Sequence, residues 1–141
     1  MSVRLNPYLH FRGDARAAME FYAGVFGGEL TLSTYGEMHG SEDPADQDKV
    51  MHGQLDGPHG LVIMGSDAPS SMAVTPPSGF AVSLSGDDET VLRGWWDGLS
   101  DGGAVTAPLE LAPWGDTFGM VTDRFGIDWM VNISPAQQAQ Q

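Results

Sequence analysis

The chain has 141 residues, no cysteine, and 19 acidic against six basic side chains, for a formal net charge of −13. That length suits a single folded domain with a real core, while the charge argues against nucleic acid or an anionic membrane surface as partner, because phosphate binding needs Lys and Arg. Without cysteine there is neither a disulfide nor thiolate chemistry, and no apolar run reaches membrane-span or signal-peptide length, so a cytoplasmic location is the expectation.

In chain order, PYLHF at 7–11 reads as a short strand followed by a Gly-Asp turn. Asp14 is placed to cap a helix by accepting backbone N–H bonds. Ala15, Ala18, Met19, Tyr22, Val25 and Phe26 then recur at helical spacing, and Gly27 is a natural left-handed stop. Strands are predicted at about 29–35, 48–56 and 60–65. The acidic stretch YGEMHGSEDPADQD forms a long loop between the first two, of the kind that serves as lid or mobile surface. A tight Asp56-to-Gly60 turn joins the last two. SDAPSSMAVTPPSG, rich in Ser and Pro, reads as a linker. FAVSL opens the second half as a strand. Asp87 or Asp88 caps a helix whose stripe is Val91, Leu92, Trp95 and Leu99, weakened by Gly94 at a cost of about 1 kcal/mol against Ala. Three further strands follow at about 104–111, 117–123 and 126–133, the last two joined by Asp123-Arg124-Phe125-Gly126. PAQQAQQ reads as a frayed tail.

The two halves share one grammar, strand, Gly-Asp, helix, Gly-Gly and three strands, which is βαβββ twice over. Aligning Gly13-Asp14 with Gly86-Asp87 pairs Tyr8 with Ala81 and His10 with Ser83. The expected class is α+β, one domain over 1–141. A first module covers about 4–67, a linker 68–78, a second module 79–134 and a tail 135–141. Alternation sends Leu9 and Phe11 under the first helix and Tyr8 and His10 to the opposite face. The same rule sends His52 and Gln54 to that opposite face. In the final strand Ile127, Trp129 and Val131 go under the second helix, leaving Asp128, Met130 and Asn132 on the other side.

Two βαβββ units in this length, with PYLHF, AAMEFYAGVFGGEL, YGE at 35–37, KVMHGQL and WGDTFGMVTDRFGIDWMVN, resemble the vicinal oxygen chelate superfamily, and within it the PhnB-like branch. The superfamily includes glyoxalase I, extradiol dioxygenases and bleomycin-resistance proteins. The resemblance implies half-open curved sheets with helices on the outer face, an inner face lining a cavity, and a homodimer. It also implies metal ligands, drawn from His, Gln and Glu, on the first and last strands of each unit. Carried over, those positions fall on Asn6 or Tyr8, Met64, Ala81 and Met130. Thioethers are soft, weak donors and Ala is none, so no metal and no cofactor is expected.

The expected function is therefore binding of an unidentified small molecule. Its lining would be Tyr8, His10, His52, Gln54, Met64, Trp114, Phe118, Asp128 and Met130, with Trp114 stacking at the rim. The alternative is a lyase- or isomerase-type or metal-dependent enzyme with a non-standard site around His10 and His52. His10 or His52 would be its base and Glu37 would come from the loop as partner. His39 and His59 read as solvated loop and turn residues. Trp95 and Trp129 read as core, packing helix on strand.

Overall fold

A computed structural model describes residues 3–73 and 75–135; the expected tail lies outside the described residues from 136 onward. The elements are β1 (Tyr8–Phe11), α1 (Ala15–Phe26), β2 (Glu29–Thr34), α2 (Tyr35–Met38), β3 (Val50–Asp56), β4 (Val62–Asp67), β5 (Val82–Gly86), α3 (Glu89–Ser100), β6 (Ala104–Leu111), β7 (Thr117–Thr122) and β8 (Asp128–Ile133). The chain divides between Thr75 and Pro76 into two compact units, each with its own four-stranded sheet. The orders are β1-β4-β3-β2 and β5-β8-β7-β6. In each sheet the first and last strands of the unit pair in parallel and the other neighbours are antiparallel. This is the expected α+β arrangement of two βαβββ modules. Among the described residues, no helix is long and apolar enough to cross a membrane.

In the first unit α1 packs on β2, β3 and β4. Its buried stripe is Ala15, Ala18, Met19, Tyr22 and Phe26, set against Leu9, Phe11, Leu55 and Ile63. The helix comes close because Gly53 and Gly65 face each other across β3 and β4. A Cβ on Gly53 would lie 2.8 Å from the Leu32 side chain, and one on Gly65 would lie 3.2 Å from Met19 Sδ. Val50 keeps a place in the core despite its parity, because the register between β2 and β3 slips at Ser33 and Thr34. Such a bulge re-aims the residues beyond it.

The cap of α1 differs from the expectation. The Asp14 side chain makes no capping bond. The acceptor is Asp67, more than fifty residues away, whose Oδ1 receives the N–H groups of Gly13 at 2.7 Å and Ala15 at 2.9 Å. Its Oδ2 receives Val50 N–H at 3.0 Å, and its main-chain oxygen receives the Tyr35 hydroxyl at 2.8 Å. Strand β4 accordingly runs on to Asp67, past its predicted end. Parallel pairing of β4 with β1 lays Asp67 beside Phe11, within reach of the turn into α1.

The acidic loop is also more structured than predicted. It holds α2 and a 3-10 turn at Pro44–Asp46. Thr34 and Glu37 form a reciprocal capping box. Asp46 is fully buried and gathers Ser41 Oγ at 3.0 Å, Ser70 N–H at 3.0 Å and Lys49 Nζ at 3.1 Å. A segment fastened in this way is a strap rather than a free lid.

In the second unit Asp88 caps α3, accepting from Val91 N–H. The buried stripe is Leu92, Trp96 and Leu99, so the core tryptophan is Trp96 and Trp95 stands half-buried on the flank. Room for the Trp96 indole comes from Gly119 on β7, where a Cβ would lie 2.7 Å from the ring. Trp129 is fully buried as expected, with Val121, Ile127 and Val131 around it in the core. Its indole N–H donates to Asp123 Oδ2 at 2.9 Å, while Asp123 Oδ1 takes Phe125 N–H at 2.8 Å and Ile127 N–H at 3.1 Å.

Candidate functional site

Each sheet has one face under a helix and one open face. In the first unit the open face is set by β1, β4 and β3. Tyr8 stands opposite Met64, and Met64 opposite Gln54, forming one row. His10 stands opposite Ser66. Because Gly53 pairs with Gly65, the next step of the antiparallel register sets Ser66 across from His52. A second row is thus His10, Ser66, His52. Five of the expected lining residues are brought together on one surface.

The aromatic rings there are in contact. Tyr8 and His10 have ring centroids 5.2 Å apart, and Tyr8 and His52 5.9 Å. Tyr8 Oη and His52 Nδ1 share a long hydrogen bond of 3.4 Å. Tyr8 nonetheless keeps 41% of its surface exposed, so a polarisable wall of one phenol and two imidazoles faces solvent. Gln54 is oriented by its neighbour along the strand, its amide N–H group donating to Asp56 Oδ1 at 3.0 Å.

Glu37 is engaged within the cap of α2. Its Oε1 accepts from Thr34 N–H at 2.9 Å and from Thr34 Oγ1 at 3.1 Å. The backbone bond, then the hydroxyl bond, hold its carboxyl below the usual range, which makes it a weaker base. His39 is the left-handed C-cap of α2, and His59 lies in the turn between β3 and β4 with φ of 60°.

In the second unit Phe118, Asp128 and Met130 occupy the open face. Met130 stands between Met120 and Ser83. Asp128 Oδ1 accepts from Thr122 Oγ1 at 2.6 Å, so this carboxylate is already engaged. Trp114, expected at a rim, is 64% exposed and packs edge-on to Phe118 with centroids 5.8 Å apart.

One register assignment is corrected. Ser83, not Ala81, faces Met130, and Ser85 faces Asn132. Since Tyr8 faces Met64 in the first unit, the counterpart of Tyr8 is Ser83 and that of His10 is Ser85. The Gly-Asp alignment misled because Gly86 still belongs to β5, whereas Gly13 lies beyond β1. The two-residue shift leaves the face unchanged. The positions where the resemblance places a metal then carry Tyr8, Met64, Ser83 and Met130. A phenol, a hydroxyl and two thioethers do not fit a hard divalent cation, which prefers carboxylate and carbonyl oxygens. Among the described residues no three His, Asp or Glu side chains come together as a metal-binding group.

Three carboxylates of the strap have lowered pKa values. At Asp46 burial pushes the pKa up, but the bonds from Lys49, Ser70 and Ser41 prevail and hold it down. Asp43 is lowered by the Ser70 hydroxyl and by Ala45 N–H. A carboxyl depressed in the folded state stabilises fully above its unfolded pKa, about 3.9 for Asp. That contribution is lost as pH falls through the lower folded value. Acidification below about pH 4 should therefore release residues 35–49 first. Amide exchange followed by NMR should show those residues losing protection while β3 and β4 retain theirs. Simultaneous loss across the unit would show that the strap is not a separate cooperative element.

Comparison with known proteins gives consistent matches. The profile of the Glyoxalase/Bleomycin resistance protein/Dioxygenase superfamily matches residues 4–131. Protein YjdN of Escherichia coli (strain K12) is 29% identical over 147 residues, covering 96% of this chain and 99% of that one. The crystal structure of protein PA1353 from Pseudomonas aeruginosa aligns with a TM-score of 0.83 at 35% identity, over 96% of this chain and all (100%) of the other. At the level of the fold alone, the fosfomycin resistance protein FosX from Listeria monocytogenes, solved with Mn(II) and sulfate, aligns at a TM-score of 0.60. It shares 13% identity over 95% of this chain and 93% of its own.

Proposed function

This chain belongs to the glyoxalase/bleomycin resistance/dioxygenase superfamily, and on that premise we propose that it binds a small molecule on the open face of its first sheet without a hard metal ion at the superfamily position. The observation that supports this reading is the solvent-facing cluster of Tyr8, His10 and His52, backed by Gln54 and Met64. Rings of this kind accept a planar ligand by stacking, and Met64 supplies an adaptable apolar contact. Asp56 beside Gln54 and the net charge of −13 favour a neutral or cationic ligand over an anion.

Quinoline and its N-methyl cation are suitable probes. NMR titration of the full chain should move the resonances of Tyr8, His10, His52 and Met64. Tyr8→Ala should weaken binding about tenfold, the equivalent of about 1.4 kcal/mol. Shifts confined to α1 or to the second unit would place binding elsewhere and defeat the proposal. The working form is proposed to be a homodimer, in keeping with apolar residues left in solvent such as Leu5, Phe80 and Leu111. Light scattering should return twice the 15.0 kDa chain mass; a monomer at tens of micromolar would reject the dimer.

A further inference from the structure

The row His10, Ser66, His52 has a chemical use beyond stacking. The two imidazoles stand on the same face, on β1 and β3, with β4 between them. Two strand spacings separate their backbones by about 9.6 Å. That is within reach of two histidine side chains sharing one ion at metal–nitrogen distances of about 2.1 Å. The residue between them on β4 is Ser66, whose side chain is small and buried, so it does not itself stand between the two imidazoles. Tyr8 touches both rings. Its oxygen sits at Nδ1 of His52, which leaves Nε2 directed away from that bond. Histidine ligands commonly have this arrangement, with one ring nitrogen held by an oxygen partner so that the other is fixed toward the metal.

We propose that the open face of the first unit carries a two-histidine site for a late first-row divalent cation, with His10 and His52 as ligands and Tyr8 as the positioning residue. The donors select the ion. Imidazole suits Cu2+, Ni2+ and Zn2+, in the usual order with Cu2+ tightest, while Mg2+ and Ca2+ lack the oxygen ligands they need. The site differs from the superfamily position because His52 comes from β3, neither a first nor a last strand, and His10 lies two residues beyond Tyr8 on β1; neither Met64 nor Met130 is required. With two protein ligands, the remaining coordination positions stay open to water or to an oxygen of a bound molecule.

The inference shares its surface with the small-molecule reading but fails independently of it. Untagged, chelator-stripped protein is dialysed against micromolar Cu2+, and separately Zn2+, Ni2+ and Mg2+, and bound metal is counted by mass spectrometry. One Cu2+ per chain is expected, with Zn2+ and Ni2+ weaker and Mg2+ not retained. His10→Ala and His52→Ala should each lower Cu2+ affinity at least tenfold. Tyr8→Phe should lower it several-fold with the stoichiometry unchanged, and His39→Ala and His59→Ala should leave it alone. Binding that survives both His10→Ala and His52→Ala, or that follows His39 or His59, overturns the proposal. Quinoline binding without Cu2+ binding overturns it while sparing the small-molecule reading. Cu2+ binding that behaves as stated, without quinoline binding, upholds it alone.

Discussion

Asp67→Ala should cost the first unit on the order of 3 kcal/mol or more, seen as a loss of roughly 15 °C in the melting of that unit. The substitution leaves the N–H groups of Gly13, Ala15 and Val50 without their acceptor. Buried backbone donors left unsatisfied cost about 1–3 kcal/mol each, partly relieved where water enters. The effect is large because one carboxylate serves three separated segments, the start of α1, the start of β3 and the end of β4. Asp67→Asn is the finer probe. It keeps Oδ1 for Gly13 and Ala15 but turns an amide N–H toward Val50 N–H, so donor meets donor. It should lose about half as much, and exchange should rise first at Val50 and its neighbours. Equal losses for Ala and Asn would show that charge, not hydrogen-bond geometry, is what the site requires. Asp14→Ala should change little, since its side chain makes no cap bond.

Trp129→Ala should destabilise the second unit by about 3–5 kcal/mol, the range for deleting a large buried aromatic. Trp129 is the largest of the fully buried side chains, and its loss opens a cavity and strips Asp123 Oδ2 of its indole donor. Trp129→Phe separates the two effects. It keeps most of the packing and removes only the N–H, and should cost about 1–2 kcal/mol from the hydrogen bond plus a modest packing loss. Combining Trp129→Phe with Asp123→Asn should give less than the sum of the single effects, because the two groups act through one bond. Strict additivity in urea unfolding would mean that the bond contributes nothing measurable.

These two aspartates mark where sequence reasoning stopped. Asp123 was legible in part: an Asp opening a DRFG turn is expected to accept from the residue two places on, and Phe125 N–H does so. Its bond to Trp129 depends on how far β8 climbs past the turn, which no local pattern encodes. Asp67 was not legible, because it follows IMGS at the edge of a Ser- and Pro-rich stretch and looks like the start of a linker. Only the parallel pairing of β1 with β4 brings it to the Gly13 turn. Trp95 and Trp96 were exchanged for a related reason. Both fit a helical stripe within a residue, and Gly119 on a strand more than twenty residues later determines which ring is received.

For the candidate site the division is similar. Alternation placed Tyr8, His10, His52 and Gln54 on the face away from α1, because side-chain period in a strand is two and the apolar partners Leu9, Phe11 and Leu55 had only one place to go. The two-residue error in β5 was harmless to facing for the same reason. What alternation does not supply is the neighbour across the sheet. Tyr8 and His10 are near neighbours on one strand, but the meeting of Tyr8 with His52 arises from register over residues forty-four positions apart. Glu37 shows the opposite case: its partner Thr34 is three residues away, so the Thr-x-x-Glu box is written in the local sequence.

By itself the sequence determined the two βαβββ units, the face of α1, the open faces of the strands and the superfamily, because each of these follows from local periodicity or from a motif carried whole. Tertiary structure alone decided that Asp67 rather than Asp14 caps α1, that the acidic stretch is strapped down by Asp46, and that Tyr8 meets His52. For Asp67 and for the Tyr8–His52 contact the physical reason is the same. A buried polar group or a ring takes whichever partner the sheet register delivers, and register is a property of two distant segments at once.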